Sequence, residues 1–232
     1  MPTSAARTTR QKVEIIPAIL AQDFAELTAH IDMIKGFTKT VQIDVCDGQF
    51  VPNATWPYRK HDDSFEKIAH EDEGLPGWEQ LNYEFDLMIN RPEEKAHEWV
   101  SAGAARIILH AEAKGDIAKA LVELAGAVEV GLAFNIDTPL DILELHKERI
   151  QFVQCMGIDR IGFQHQAFDD KVIEKITAVK ARYPDMIVSV DGGVSLETAP
   201  KLIAAGADRL VVGSAIFDSE NYIDALNQFK RL

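Results

Sequence analysis

The sequence predicts a single α/β domain folded as a closed (β/α)8 barrel, in which eight parallel strands alternate with helices. Short β-branched and apolar runs recur eight times, and stretches with helical periodicity follow them. Eight such units in 232 residues match the size of this barrel, for which about 250 residues are typical. An open doubly wound sheet would show a glycine-rich turn after its first strand, and residues 20–23 contain no glycine.

The predicted strands are mostly continuous apolar runs, which is typical of parallel strands covered on both faces. They span residues 13–20, 40–45, 81–89, 106–111, 128–134, 151–156, 186–191 and 208–213. Between them, apolar residues recur every three or four positions, as in 24–34, and this spacing predicts helices packed on the sheet. Asp23, Asp116 and Ser195 are the predicted helix N-caps.

The predicted domain organisation is simple. We expect residues 1–12 to be a flexible N-terminus and residues 13–232 to form the barrel. The one irregular connection is an inserted acidic loop within residues 56–82, with one short helix over 64–70. Long connections in compact domains are often functional or form subunit contacts, although a solvated acidic loop is the simpler interpretation. We also expect a homo-oligomer.

Composition excludes several functional classes. The chain has 24 Lys and Arg against 37 Asp and Glu, a formal charge of −13, so it lacks the basic balance of a nucleic-acid or membrane-surface binder. No apolar run approaches the roughly 20 residues that a membrane span needs. Two cysteines, Cys46 and Cys155, lie in apolar runs, as is typical of a reducing compartment. We therefore predict a cytoplasmic protein with a small-molecule ligand.

Carboxylates follow three of the predicted strands at their C-terminal ends, where barrel enzymes carry their reactive groups. Asp44, Asp86 and Asp191 end strands 2, 3 and 7. Because side chains alternate along a strand, Gln42 should face the same way as Asp44, and Glu84 the same way as Asp86. Bringing unpaired charges together is costly, so convergence of three acids favours catalysis or a bound cation.

Glycines follow strands 7 and 8 and predict an anion site. Gly192 and Gly193 come after strand 7, and Gly213 and Ser214 come after strand 8. Glycine lets the backbone approach an anion closely and direct N–H groups at it, and phosphate binds at this place in many barrels. Such local donors explain how a protein with a negative charge could bind a phosphorylated ligand.

Several further motifs occur in order along the chain. They are Ile-Pro-Ala-Ile-Leu at 16–20, Ile-Asp-Val at 43–45 with Asp-Gly at 47–48 and Phe-Val-Pro-Asn at 50–53, Gly-Phe at 162–163, Val-Asp-Gly-Gly at 190–193 and Gly-Ser-Ala-Ile-Phe at 213–217. Together they resemble the ribulose-phosphate 3-epimerase family over residues 13–217. The run after strand 2 is the most specific of these motifs.

The resemblance implies a barrel of the ribulose-phosphate-binding type and an epimerase of ribulose 5-phosphate, xylulose 5-phosphate or a close relative. In this family one aspartate removes the C3 proton, and a second returns a proton to the other face of an enediolate. Asp44 and Asp191 match these two acids. Met88 resembles a methionine that lines the family's pocket, and Gly162 is an expected substrate contact.

The chain departs from the family at its metal site. The family holds a divalent metal with two aspartates and two histidines, and Gln42 and Asp86 replace the two histidines here. Both replacements offer oxygen, so Asp44, Asp86, Asp191 and Gln42 would suit Mg²⁺ or Mn²⁺ better than Zn²⁺. The alternative is a metal-free site in which Asp86 is an additional acid or substrate contact.

Two other functions stay open at this point. One is a different reaction on the same barrel, such as another phosphosugar isomerase, an aldolase or a decarboxylase. The other is a non-catalytic phosphosugar-binding homologue, which the presence of both Asp44 and Asp191 disfavours because buried unpaired acids are costly. His110 is expected to be a structural histidine after strand 4, and His165 either a phosphate contact or a solvent-facing side chain.

Overall fold

The computed structural model, which describes residues 12–60 and 62–232, confirms the closed barrel of eight parallel strands. Each strand pairs with the next, and the first also pairs with the last. The strands are Glu14–Ile19 (β1), Thr40–Cys46 (β2), Asn82–Met88 (β3), Ala104–His110 (β4), Glu129–Phe134 (β5), Phe152–Met156 (β6), Ile187–Asp191 (β7) and Arg209–Val212 (β8). Every predicted strand is present within two residues of its expected ends. Of the predicted flexible N-terminus, residues 1–11 lie outside the described residues.

Helices cover the outside of the barrel. They are Phe24–Ile34 (α1), Ser64–Ala69 (α2), Ala96–Ser101 (α3), Ile117–Leu124 (α4), Ile142–His146 (α5), Lys171–Arg182 (α6), Ala199–Ala205 (α7), Ser214–Phe217 (α8) and Tyr222–Phe229 (α9), with a short 3₁₀ helix at Pro92–Glu94. No helix in the described part of the chain is long and apolar enough to cross a membrane. Cys46 and Cys155 are both buried, and neither forms a disulfide.

Two of the three predicted helix N-caps are confirmed, and one is wrong. The Asp23 and Asp116 carboxylates each accept a hydrogen bond from a backbone N–H in the first turn, as predicted. Ser195 is wrong as the N-cap of α7, which begins at Ala199 after Thr198. The reason is an intervening turn: Ser195 and Thr198 each donate a backbone N–H to the other's hydroxyl, at 2.9 and 3.2 Å. Ser195 therefore caps that turn rather than the helix itself.

Aromatic packing fastens the acidic connection between β2 and β3 to the barrel. This connection contains α2, as predicted. The rings of Phe65 and Trp99 lie 4.3 Å apart, and those of Trp99 and Phe85 lie 4.7 Å apart. Trp56 meets the Trp99 ring edge-on at 6.1 Å. Trp99 on α3 therefore joins two side chains of the connection to strand β3.

Charged side chains fill the barrel at its N-terminal end. Glu84 on β3 is fully buried, and its carboxylate lies 3.3 Å from the Arg106 guanidinium. Arg106 also pairs with Glu14 and Glu129 at 3.2 Å, and Arg209 pairs with Glu129 at 2.7 Å. Burial raises the pKa of Glu84 to about 7 even beside Arg106. These ion pairs occupy the end of the barrel opposite the strand ends where chemistry is expected, so we assign them to stability.

We expect Trp99→Ala to lower the free energy of unfolding by about 3–5 kcal/mol, because it removes a fully buried ring that three others contact. Urea denaturation measures the change. Trp78→Ala is the matched control, since Trp78 lies in the same connection and is 63% exposed, and it should change stability by less than about 0.5 kcal/mol. Equal losses in the two variants would contradict the anchoring role of Trp99.

Candidate active site

Three carboxylates meet at the C-terminal mouth of the barrel. Asp44 on β2 stands directly beside Asp86 on β3 in the strand register, and Asp191 ends β7. Each of the three offers an oxygen within 4.8 Å of the others. Asp86 is fully buried, and the other two are partly exposed to the mouth. Strand alternation places Gln42 one layer below Asp44, on the same inward face, as the sequence predicted.

The side-chain amide of Gln42 bridges two of these acids. Its Nε2 donates to Asp44 Oδ1 at 2.8 Å and to Asp191 Oδ2 at 2.9 Å. Its Oε1 is buried and has no hydrogen-bond partner in the described structure. Gln42 therefore supplies donors to two carboxylates that would otherwise only repel each other.

A second amide, which the sequence analysis missed, lies on the opposite side of the cluster. Gln154 on β6 is fully buried, and its Nε2 lies 3.2 Å from Asp86 Oδ2 and 3.4 Å from Asp191 Oδ2. Its Oε1 accepts a hydrogen bond from the Ser189 hydroxyl at 3.2 Å. The available signal was that Gln154 is the one polar residue of the otherwise apolar strand β6.

His110 belongs to the site rather than only to the barrel wall. It ends β4, is fully buried, and its Nε2 lies 2.8 Å from Asp86 Oδ1. Burial alone would lower the pKa of His110, but the charge and hydrogen bond of Asp86 outweigh burial and raise it. A protonated His110 offsets one of the three negative charges.

Burial and mutual repulsion control the protonation of the two remaining acids. Burial, with the nearby charges of Asp191 and Asp86, raises the pKa of Asp44 well above its usual range. Burial and the Asp86 charge raise the pKa of Asp191 to about 7, although the hydrogen bond from Gln42 opposes the shift. Carboxyl groups tuned towards neutral pH can both accept and donate a proton, which is what acid–base catalysis requires.

One pocket opens above this cluster. Among the residues lining it are eight that the sequence singled out, namely Asp44, Met88, Gly162, Asp191, Gly192, Gly193, Gly213 and Ser214. Gln42 and Asp86 are fully buried and lie outside this lining. Asp44, Asp191 and the glycine turns thus line a single cavity.

The glycine half of the pocket depends on conformations that favour glycine. Gly192 and Gly193 have φ values of +95° and +67°. A Cβ on Gly193 would also lie 2.9 Å from the Cα of Phe168, closer than side chains pack. The turn after β7 can therefore hold its backbone at the pocket only with glycine in these positions.

The loop after β6 covers the rim beside these turns. Gln164, which the sequence analysis did not single out, lines the pocket with its side-chain amide close to Gly213. His165 also lines the pocket, and its Nε2 lies 2.6 Å from Asp218 Oδ2. The His165 side chain is largely exposed to solvent, which is one of its two predicted placements, and its contact with a phosphate stays a prediction.

The match to a known family covers most of the barrel. The model of the ribulose-phosphate 3 epimerase family matches residues 14–217. The chain belongs to the ribulose-phosphate 3-epimerase family. The resemblance carried by the sequence motifs is thereby confirmed.

Curated members of the ribulose-phosphate 3-epimerase family align with this chain over 78–98% of their own length. The ribulose-phosphate 3-epimerase of Bacillus subtilis is 33% identical over 94% of this chain and 98% of its own. The Escherichia coli K12 enzyme of the same name is 29% identical over 93% and 94%. The chloroplastic ribulose-5-phosphate-3-epimerase of Arabidopsis thaliana is 29% identical over 97% of this chain and 78% of its own.

Solved structures of proteins with other names share the fold. The 3-hexulose-6-phosphate synthase of Salmonella typhimurium superposes with a TM-score of 0.70 at 14% identity, covering 94% of this chain and 97% of its own. The 3-keto-L-gulonate-6-phosphate decarboxylase of Vibrio cholerae gives a TM-score of 0.68 at 13% identity, covering 95% and 99%. At these identities the likeness shows the barrel fold alone.

The described residues include a donor set that could hold one metal ion. Three carboxylates converge, and the buried amide oxygen of Gln42, one layer below Asp44, has no hydrogen-bond partner in the described structure. Carboxylate and amide oxygens are hard ligands, so the residues present fit a divalent cation.

We expect Asp86→Asn to lower the pKa of His110, because the substitution removes the charge that outweighs burial. A raised histidine pKa means that the folded state binds the proton more tightly than the unfolded state. The contact therefore stabilises the fold at low pH, and its contribution is lost as the pH rises past the folded pKa.

NMR titration of the imidazoles measures this shift. His146 is the internal control, since burial and Arg149 lower its pKa independently of the acidic cluster. An unchanged His110 pKa in Asp86→Asn would contradict the assigned ion pair.

Proposed function

We propose that this protein is an epimerase of a phosphorylated ketose, ribulose 5-phosphate or a close relative, and that Asp44 and Asp191 are its two acid–base groups. The observation that carries the proposal is the placement of these two carboxyl groups. They come from different sides of one barrel mouth, share the Gln42 amide, and line the same pocket as the glycine turns.

The pocket supports a binding mode with its phosphate at the glycine end. Backbone N–H groups of the turns at Gly192–Gly193 and at Gly213–Ser214 would bind the phosphate, as oriented amides do at anion sites. A ketose anchored there would extend its carbon chain towards the acids. The apolar side chains of Met88 and Met156 line the same pocket and would exclude water from the reacting carbons.

The proton transfers follow from the two carboxyl groups. Asp44 in its ionised form accepts the C3 proton from one face of the sugar, and the electron pair moves into the C2–C3 enediolate. Asp191 in its protonated form then donates a proton to the opposite face of C3 and re-forms the ketone. Repulsion from Asp191 raises the pKa of Asp44 and so favours a state in which only one of the two acids is ionised, as either direction of the reversible reaction requires.

The residues that would hold a divalent cation are Asp44, Asp86, Asp191 and, through its amide oxygen, Gln42. This all-oxygen set supports Mg²⁺ or Mn²⁺ over Zn²⁺. When bound, such an ion supplies positive charge opposite the negative charge that develops on the substrate oxygens. The amide N–H groups of Gln42 and Gln154 and the protonated His110 supply positive potential in the same place.

The alternatives draw no comparable support. The solved structures of a synthase and of a decarboxylase, at 14% and 13% identity, show only a shared fold with this chain. A binding protein without activity would have no use for two buried carboxyl groups with raised pKa values, which cost stability.

The test is to incubate the protein with ribulose 5-phosphate in D₂O and follow C3 by NMR. We expect deuterium at C3 and formation of xylulose 5-phosphate. Tight binding of the sugar with no exchange at C3 would refute the epimerase and leave a binding protein. Cleavage or loss of carbon dioxide would point to a different reaction on this barrel.

Asp44→Asn and Asp191→Asn should each lower the rate of epimerisation by about 10²–10⁴-fold, the usual contribution of a general acid or base. Each variant should keep C3 proton exchange in the epimer whose C3 proton faces the remaining acid. The measurement starts separately from each epimer in D₂O and determines, early in the reaction, how much deuterium the recovered substrate carries at C3. Loss of exchange from both epimers in both variants would contradict the two-base assignment.

Mn²⁺ binding, measured by electron paramagnetic resonance of the free ion, tests the cation site without turnover. We expect one bound ion, and an affinity that falls more than about 100-fold in Asp86→Ala, since even outer-shell partners of a metal contribute 10- to 100-fold. Asp72→Ala, which removes an exposed acid of the β2–β3 connection, is the matched control. Absence of Mn²⁺ binding by the unmodified protein would establish the metal-free site instead.

A further inference from the structure

The two buried amides of the site contact different sets of acids. Gln42 donates to both proposed acid–base groups, Asp44 and Asp191. Gln154 lies within hydrogen-bond distance of Asp191 and Asp86, and no hydrogen bond joins it to Asp44 in the described structure. The two residues therefore differ in which half of the reaction they can influence.

The orientation of the Gln154 amide is set by its other neighbour. Its Oε1 accepts the hydrogen bond from the Ser189 hydroxyl, and both residues are fully buried. Turning the amide over would break this bond and direct Oε1 at the oxygens of Asp86 and Asp191. Its N–H₂ group is therefore held towards the carboxylates. Gln42 lacks such a lock, because its Oε1 has no partner in the described structure.

Both amides reach the same oxygen of Asp191. Nε2 of Gln42 is 2.9 Å and Nε2 of Gln154 is 3.4 Å from Asp191 Oδ2. Two donors from different strands therefore restrain Asp191 Oδ2.

We propose that Gln154, locked by Ser189, is a positioning residue that acts directly on Asp191 and makes no direct contact with Asp44. The inference rests on the proposed epimerase function. It predicts that loss of Gln154 slows proton transfer on only one face of the sugar. A residue needed merely for folding or for packing of the barrel would slow both faces alike.

Gln154→Met tests this, because methionine keeps the length of the side chain and removes the amide. Exchange at C3 is followed in D₂O by NMR, starting separately from ribulose 5-phosphate and from xylulose 5-phosphate. We expect exchange of the epimer whose C3 proton faces Asp191 to fall about 10- to 100-fold, as loss of a hydrogen bond to a charged group implies. Exchange of the other epimer should stay within about threefold of the unmodified protein.

Three controls complete the design. Asp191→Asn identifies the epimer that Asp191 serves. Gln42→Met removes the amide that contacts both acids and should slow exchange of both epimers. Ser189→Ala frees the Gln154 amide to turn and should slow the same face as Gln154→Met, to a smaller extent. It also carries the test if Gln154→Met does not fold.

The outcomes separate the two proposals. No C3 exchange by the unmodified protein would overturn the epimerase function and this inference with it. Exchange by the unmodified protein, with both faces slowed equally or neither slowed in Gln154→Met and Ser189→Ala, would overturn the role of Gln154 alone. Calorimetric binding of ribulose 5-phosphate should be unchanged in Gln154→Met, since the amide is outside the pocket lining.

Discussion

The gathering of three carboxyl groups at one end of a closed barrel is the constraint on which the rest of the structure depends. Such a cluster is unfavourable unless each charge is paired, hydrogen-bonded or removed by a proton. The protein uses all three means. His110 pairs with Asp86, amide groups from β2 and β6 donate to the acids, and the raised pKa values of Asp44 and Asp191 favour a proton on one of these two acids.

The barrel contains two separate groups of charged side chains, one at each end of its axis. At the N-terminal end, the carboxylates of Glu14, Glu84 and Glu129 form ion pairs with the guanidinium groups of two arginines. At the mouth, no arginine or lysine joins the acidic cluster among the described residues, so compensation there is partial and depends on protons. This difference supports the proposed division of the barrel, with stability at one end and proton transfer at the other. In the proposed binding mode the backbone N–H groups of the glycine turns would bind the phosphate despite the net charge of −13.

The fold and the positions of the acids were accessible from the sequence, because both follow from local periodicity. Eight apolar runs determine the barrel, and alternation along β2 places Gln42 below Asp44. The contacts across the barrel were not accessible, since they depend on how strands far apart in sequence are staggered. Gln154 was therefore not singled out from the sequence. His110 looked structural because the register that brings it to Asp86 is a property of the closed sheet.

The central claim is that one pocket holds a phosphoketose with C3 between Asp44 and Asp191. The most direct measurement is a crystal structure with an unreactive phosphopentulose analogue that lacks an acidic C3 proton. The account predicts the phosphate on the backbone N–H groups at Gly192–Gly193 and Gly213–Ser214, with the two carboxyl groups within hydrogen-bond distance of opposite faces of C3. Both carboxyl groups on one face of C3, or the phosphate at the acidic end of the pocket, would contradict it.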